Sequence, residues 1–298
     1  MVDIRISLTE EQLALKKAVA ELCKLYPPSY WRELDEKREY PEAFVQELTK
    51  AGYLSVLIPE EYGGGGLGIL EAGLILEEIN RSGGNAAACH AQMYIMGTLL
   101  RHGSEEQKAR YLPKIASGEL RLQAFAVTEP NSGSDTTKLQ TTAVRHGDVY
   151  VVNGQKIFIS RVLQSDLMLL LARTTPLDKV RKKTEGLSVF LIDIRGPSRG
   201  LQVRPAAHHD QPLDPTSCSL TTWRFRPTAS SARKEKGFSY ILDGMNAERI
   251  LVASESIGDG PLVHRQGGAV LQRARRLRAA HRRQPGGCSS PLPKRTWP

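Results

Sequence analysis

The chain has 298 residues, of which 40% are hydrophobic and 24% charged, a composition typical of globular proteins. Its formal net charge is +9, but residues 261–298 carry nine Lys/Arg and no Asp/Glu, so the remainder is neutral and does not indicate a basic surface built into the fold. No apolar run approaches the roughly 20 residues of a membrane-spanning helix, and no apolar signal region begins the chain. We therefore expect a cytoplasmic protein without a membrane partner.

Residues 1–121 are predicted to form a helical domain. Residues 9–12 (TEEQ) and 104–107 (SEEQ) both follow the Ser/Thr-x-x-Gln pattern of a capping box, which marks the start of a helix. Two further apolar-rich segments, 69–80 and 85–100, have the length and composition of buried helices.

Four consecutive glycines at 63–66 lie within this helical half. A glycine-rich run can bind phosphate when a strand precedes it, a helix follows it and a GK[ST] sequence is present. Those features are missing here, so the run favours a flexible loop over a phosphate-binding loop.

From Leu122 the apolar period changes to two, which is typical of strands. The sequences HGD at 146–148 and NG at 153–154 are predicted hairpin turns. The predicted strands are 123–128, 141–145, 149–152, 156–160, 166–173 and 187–194. Helices followed by consecutive hairpins and then by another helix after Lys236 predict an α+β fold, and the absence of GxGxxG after a strand disfavours a Rossmann domain.

The chain has four cysteines and no recognisable metal-ligand cluster. The cysteines are far apart and form no CxxC pair: Cys23, Cys89, Cys218 and Cys288. This spacing favours free thiols in a reducing compartment and predicts no metal site.

Two segments carry residues that suit a bound ring. Residues 125–135 (FAVTEPNSGSD) leave a strand and enter a loop rich in hydroxyls, which can bind a flat heterocycle or a phosphate; a Ser/Asp-capped turn explains them almost as well. In residues 153–160 (NGQKIFIS), Phe158 and Ser160 project to one face of a strand, so that an aromatic ring and a hydroxyl could contact a flavin. The alternative is a core phenylalanine beside a surface serine.

Together the two segments resemble the acyl-CoA dehydrogenase family, which carries TEPxxGSD followed by NGxKxxIS/T. The likeness covers roughly residues 5–205 and 235–260. It implies a helical N-terminal domain, a middle β-domain, a C-terminal four-helix bundle, and FAD bound between the β-domain and the bundle. It also implies that Ser134 lies nearest the acyl-CoA and that Phe158 and Ser160 contact the isoalloxazine ring. The other residues implied to line flavin and substrate are Phe125, Val127, Thr128 and Gly133.

The reaction of this family requires a base. The α-proton of a thioester is weakly acidic, so a desolvated carboxylate must remove it while hydrogen bonds polarise the carbonyl. Glu248 lies on one helical stripe with Ile241, Met245 and Val252, at the position where the isovaleryl-CoA dehydrogenase branch of the family carries its base. The alternative is a surface carboxylate paired with a basic neighbour. Arg249 resembles a family arginine next to the active site and is assigned to substrate binding.

The resemblance implies FAD-dependent α,β-dehydrogenation of an acyl-CoA to a trans-2-enoyl-CoA, with transfer of the β-hydride to flavin N5. It further implies an electron-transferring flavoprotein as acceptor and a homotetramer or homodimer. Two alternatives stay open: a non-catalytic remnant, and a nucleic-acid-binding protein that acts through the basic tail, although we expect no nucleic-acid partner.

The predicted organisation is an α-helical domain at 1–121, an antiparallel β-domain at 122–235, the first helix of an uncompleted, C-terminally truncated bundle at 236–260 and a disordered basic tail at 261–298. Codons exist that spell the observed residues from Pro261 and, read one nucleotide later, spell the family-like RWFIDKAVRYSNERVVFG. Thr216–Ala232 can likewise be spelled so that another frame reads VVFFDDLEVPADSLIG. We hypothesise that residues 206–234 and 261–298 are out of frame.

Overall fold

The computed structural model describes residues 8–195, 200–205, 216–225 and 236–282. Six helices form the N-terminal domain, and capping boxes at Thr9 and Ser104 begin the first and the last of them, as predicted. Their bounds are α1 Glu10–Cys23, α2 Pro28–Lys37, α3 Glu42–Lys50, α4 Ile69–Arg81, α5 His90–His102 and α6 Glu105–Ala116. None of the described helices has both the length and the apolar character needed to cross a membrane.

The glycine run at 63–66 packs closely against the preceding turn. A Cβ on Gly64 would lie 2.1 Å from the carbonyl oxygen of Ile58, and the N–H groups of Gly65 and Gly66 donate to Ser55 and Ile58. The glycines thus permit close backbone packing, which differs from the flexible loop that composition alone suggested.

The middle domain is a seven-stranded sheet with the spatial order β1-β4-β2-β3-β7-β6, and β5 pairs with β4. The strands are β1 Leu122–Ala126, β2 Thr142–His146, β3 Val149–Ile159, β4 Leu167–Arg173, β5 Leu187–Asp193, β6 Leu201–Pro205 and β7 Thr216–Phe225. The α+β prediction is confirmed, but the sheet is mixed: β4 runs parallel to β1 and β2. The β2–β3 hairpin lies between β1 and β4 in the chain, so that β4 runs in the same direction as β1. The antiparallel prediction therefore holds only for the pairs β2–β3, β3–β7, β4–β5 and β6–β7.

The two predicted turns differ in outcome. β2 and β3 are joined at 146–148, as predicted. At Asn153 and Gly154 the chain does not turn: β3 continues, with a register shift against β7. Gly154 has φ 155°, and a Cβ there would lie 2.3 Å from Thr141 Oγ1. The glycine therefore serves a bulge and a close approach to a residue distant in sequence.

β4 divides the interior into two apolar clusters. Leu167, Leu169 and Leu171 pack with the N-terminal helices, whereas Met168 and Leu170 face a second cluster on the other side of the sheet. Because every residue of β4 is buried, this strand is apolar throughout rather than alternating.

The last helix, α7 (Gly237–Arg282), joins the main cluster through Tyr240, Ile241 and Leu251 and packs along α4. The two helices approach closely: a Cβ on Gly73 would lie 2.7 Å from Ser254 Oγ, and one on Gly258 would lie 2.1 Å from the carbonyl oxygen of Glu77. The start of α7 therefore matches the prediction of a helix after Lys236.

Beyond Gly260 the structure differs from the predicted disordered tail, because α7 continues through Pro261 to Arg282. Alanine, leucine and arginine, which are frequent here, are strong helix formers, and Arg265 Nη2 donates to the carbonyl oxygen of Arg81 at 2.9 Å.

Residues 283–298 lie outside the described part. Of the segment hypothesised to be out of frame at 206–234, residues 216–225 form β7 and the others are not described; a strand here leaves the reading frame untested.

Candidate active site

A cavity of about 320 Å³ lies where β1, the end of β3, α5 and α7 meet. Six residues predicted from sequence line it: Phe125, Val127, Thr128, Phe158, Ser160 and Glu248. The other lining residues are His90, Tyr94, Gln123, Arg161 and Met245. The sheet therefore supplies one wall and the helices supply the opposite one.

A buried ion pair joins the two motif segments on the sheet side. Lys156 Nζ donates to Glu129 Oε1 at 2.8 Å and to the carbonyl oxygen of Val127 at 2.9 Å. Glu129 also accepts the backbone N–H groups of Gln140 and Thr141, at 2.6 and 3.0 Å. The loop that follows β1 is thus fixed to β3 and to the start of β2, which brings Thr128 close to the end of β3.

Burial and the opposite charge of the partner together determine the pKa values of Glu129 and Lys156. Burial lowers the pKa of Lys156 to about 8, opposed by the nearby carboxylate of Glu129. Burial alone would raise the pKa of Glu129, but the Lys156 charge and the backbone donors hold it below its ordinary value. Both residues belong to the sequence motifs, yet sequence analysis assigned them no role. Their partners come from separate strands and are not readable from local sequence.

The end of β3 is irregular where it faces the cavity. Its register with β7 shifts between Lys156 and Ile159, and Phe158 and Arg161 have positive φ values of 58° and 59°. Such a bulge redirects side chains at a strand end. Phe158 is 52% exposed, and both it and Ser160, two residues later, line the cavity, which is consistent with the prediction that both face one site.

Glu248 faces the sheet wall from α7. Burial raises its pKa above the ordinary value of 4.5, while the charges of His90, Arg249 and Arg161 oppose this rise. Among its predicted stripe partners, Ile241 is fully buried whereas Val252 is 39% exposed. A half-buried carboxylate with a raised pKa, in a cavity, is a candidate proton acceptor.

His90 is held on the helical wall by a second carboxylate. Its Nδ1 lies 2.6 Å from Oε1 of Glu255, which is buried and belongs to α7 about two turns beyond Glu248. This contact fixes the imidazole ring against the cavity and joins α5 to α7. No local pattern signals this contact, because its two partners are 165 residues apart in the chain.

Three predicted residues do not line the cavity. Gly133 and Ser134 are exposed in the loop after β1, where Ser132 Oγ donates to the carbonyl oxygen of Asp135 at 2.7 Å. Arg249 is exposed on α7 and donates to Asn246 Oδ1 at 2.6 Å. Their assignments to cofactor and substrate stay predictions.

The cavity wall fits a flat, hydrogen-bonding ligand such as the isoalloxazine ring of FAD. Phe158 offers an exposed ring face, and Thr128 and Ser160 offer hydroxyls on the same wall. Two buried polar groups of the cavity, the amide of Gln123 and Nε of Arg161, have atoms without a partner among the described residues. A sheet wall with an aromatic ring and hydroxyls, opposed by a half-buried carboxylate on a helix, suits a flavin-dependent dehydrogenase, and the fold and the cavity point to that class.

Comparisons with known proteins agree with this class. The family models for the acyl-CoA dehydrogenase N-terminal and middle domains match residues 9–119 and 124–219. The acyl-CoA dehydrogenase FadE12 of Mycobacterium tuberculosis (strain ATCC 25618 / H37Rv) is 34% identical over 262 residues, covering 87% of this chain and 66% of that protein. Mitochondrial isovaleryl-CoA dehydrogenase of Pongo abelii is 30% identical over 264 residues, covering 84% and 60%. The crystal structure of an acyl-CoA dehydrogenase from Geobacillus kaustophilus has a TM-score of 0.75 at 25% identity, covering 84% and 65%.

The chain belongs to the acyl-CoA dehydrogenase family, whose members are FAD flavoproteins. The resemblance identified from TEPNSGSD and NGQKIFIS is thereby confirmed. The chain spans 66% of the length of FadE12.

Proposed function

We propose that this chain carries out FAD-dependent α,β-dehydrogenation of an acyl-CoA thioester to a trans-2-enoyl-CoA. The observation that carries the proposal is Glu248: a half-buried carboxylate of raised pKa faces a wall formed by Phe158 and Ser160. The wall suits a flavin ring, and the carboxylate suits removal of a carbon-bound proton.

The protons and electrons of this reaction balance with FAD as the one cofactor. Glu248 takes the α-proton, and the electrons of that C–H bond form the α,β double bond. A bound FAD would supply the acceptor for the β-hydrogen and its electron pair. Exclusion of water by Tyr94 and Met245, which line the cavity, keeps Glu248 basic enough for this step.

The residues proposed to hold the ring lie on the sheet wall. Phe158 would pack on the ring, and Ser160 and Thr128 would donate to its polar edge; Phe125 and Val127 would complete the apolar part of the wall. Following the family resemblance, Gly133, Ser134 and Arg249 are proposed at the mouth, where an acyl-CoA enters. Their exposure suits contacts with the polar part of that ligand.

Partners follow from the same resemblance. We propose an electron-transferring flavoprotein as the acceptor that reoxidises the cofactor, and a homodimer or homotetramer as the assembly. The acyl chain is the part of the substrate that reaches Glu248.

The proposal is tested by turnover of the Glu248→Gln variant. Glutamine keeps the shape of the side chain but cannot accept a proton, so we expect kcat with acyl-CoA to fall by about 10²–10⁴-fold, the usual contribution of a general base. Glu106→Gln, on the exposed surface of α6, is the matched control and should keep full activity. Equal activities of the two variants would contradict the assignment of the base.

A further inference from the structure

Arg161 is a buried cation in the cavity and forms no ion pair with any described residue. The residue is 7% exposed, lines the same cavity as Glu248, and its Nε is buried without a hydrogen-bond partner among the described residues. In the described part of the chain no carboxylate lies within ion-pair distance of its guanidinium group. Burying an unpaired guanidinium is unfavourable, so this arrangement needs a partner that the described residues do not supply.

The positive charge of Arg161 affects ionisable groups on the helical side of the cavity. Its charge opposes the burial-driven rise in the pKa values of Tyr94 and Glu248, which line the helical wall, and of Tyr40 and Cys89, which lie outside the cavity lining. Phe158, Ser160 and Thr128, the residues proposed to hold the flavin, belong to the sheet. The missing partner is therefore expected on the substrate's side of the cavity.

A second polar group in the cavity is also incompletely paired. Gln123 is 1% exposed, and one end of its amide lies 3.2 Å from the Tyr40 hydroxyl, while the other end has no partner among the described residues. Tyr40 also contacts the carbonyl oxygen of Ala88 at 2.9 Å, so Gln123 is held in a fixed position. The cavity thus presents a fixed amide and a guanidinium, groups that commonly bind planar carboxylates.

A hydrocarbon acyl chain would exclude water from the Arg161 guanidinium and the Gln123 amide and would offer neither of them a hydrogen-bond partner. An anionic oxygen at the end of the acyl chain would satisfy Arg161 and, since Glu248 carries the same sign of charge, would need that arginine in order to enter. We propose that Arg161, assisted by Gln123, binds a terminal carboxylate, and that the substrates are CoA thioesters of dicarboxylic acids. This inference rests on the proposed function and adds the substrate class to it.

The test compares acyl groups of equal length with and without the second carboxylate. The full chain, translated from sequence-verified DNA and supplied with FAD, is titrated calorimetrically with glutaryl-CoA against pentanoyl-CoA and with adipyl-CoA against hexanoyl-CoA. We expect the dicarboxylic member of at least one pair to bind roughly tenfold tighter or more, as for other buried charge pairs. Arg161→Met should bring this ratio to about one by weakening the dicarboxylic ligand, while Arg161→Lys, which keeps the charge but loses the planar fork, should retain part of it.

Each result has one meaning. Equal or tighter binding of the monocarboxylic ligands to the unmodified chain overturns the inference and leaves the proposed function standing. An equal loss of both ligand classes in Arg161→Met also overturns it, because a merely structural residue behaves in that way. If Arg161→Met does not fold, Gln123→Leu must lower the same ratio for the inference to stand. Failure of the unmodified chain to bind any of the four thioesters contradicts the proposed function and this inference with it.

Discussion

At Glu248 two opposing effects set the behaviour of one carboxyl group. Burial favours its neutral form, whereas the charges of His90, Arg249 and Arg161 favour the ionised form, and burial prevails. Glu255 adds to the effect of burial through its own negative charge. The result is a carboxylate that holds a proton more tightly than glutamate does in water, which is the property a base needs to remove a weakly acidic proton.

The pH dependence of activity follows in sign from this shift. Glu248 works only when deprotonated, so kcat/KM should fall as the pH is lowered through the raised pKa, with a midpoint above 4.5. His90→Gln removes the first opposing charge and leaves Glu255 in place, so its acid limb should move to still higher pH. A pH–rate profile checks both. A midpoint at or below the ordinary value, or a downward move in His90→Gln, would show that Glu248 is not the titrating base.

Among single residues, sequence predicted those that belong to a local pattern. Phe158, Ser160 and Glu248 were selected from a local motif and a helical stripe, and all three line the cavity, although a bulge rather than regular strand alternation directs Phe158 there. Arg161 directly follows the second motif but was missed. It is buried in the fold, near Tyr40 and Tyr94, which are distant in sequence, whereas an arginine is ordinarily exposed.

At the scale of elements, the Glu129–Lys156 pair determines how β1 and β3 meet. Lys156→Met would leave Glu129, 6% exposed, as an unpaired buried charge, so we expect a loss of about 3–5 kcal/mol in the free energy of unfolding. Lys138→Met is the matched control, because Lys138 is exposed, and it should change the free energy by less than about 0.5 kcal/mol. Urea unfolding measures both. Equal stabilities would mean that the pair does not fix the strands.

The contact between α4 and α7 yields a prediction with a control on the same helix. A Cβ on Gly258 would lie 2.1 Å from the Glu77 carbonyl oxygen, whereas Gly260 has nothing within 4 Å. Gly258→Ala should therefore destabilise the protein by about 1–3 kcal/mol through overpacking. Gly260→Ala should stabilise it by about 0.5–1 kcal/mol through helix propensity. Thermal or urea unfolding decides; a stabilising Gly258→Ala would show that the helices do not pack as described.

Elements were predictable from sequence where their signals are local. The capping boxes at Thr9 and Ser104 begin helices because each pattern satisfies its own backbone groups. Asn153 and Gly154 have the sequence of a hairpin turn but form a bulge, because the deciding contact is with Thr141 across the sheet. The parallel pairing of β1 with β4 likewise depends on a long connection that no local pattern encodes.

At the scale of the whole molecule, the helical domain, the mixed sheet and α7 form three sides of one cavity. The relatives are longer than this chain, which spans 66% of FadE12. The frame hypothesis concerns two segments, residues 206–234 and 261–298, which have family-like readings in other frames. Sequencing the coding DNA settles it, and if neither reading is present in the gene the hypothesis is wrong.

The central claim is that this cavity holds a flavin on the sheet wall and an acyl-CoA against Glu248. The most direct measurement is the visible absorption spectrum of the chain translated from the sequenced gene, supplied with FAD, freed of unbound flavin and titrated without oxygen with acyl-CoA. We predict that yellow flavin stays with the protein and that its absorbance fades on addition of acyl-CoA, whereas Glu248→Gln binds flavin and stays yellow. Flavin that washes away from the unmodified chain, or bound flavin whose colour no acyl-CoA changes, would contradict the account.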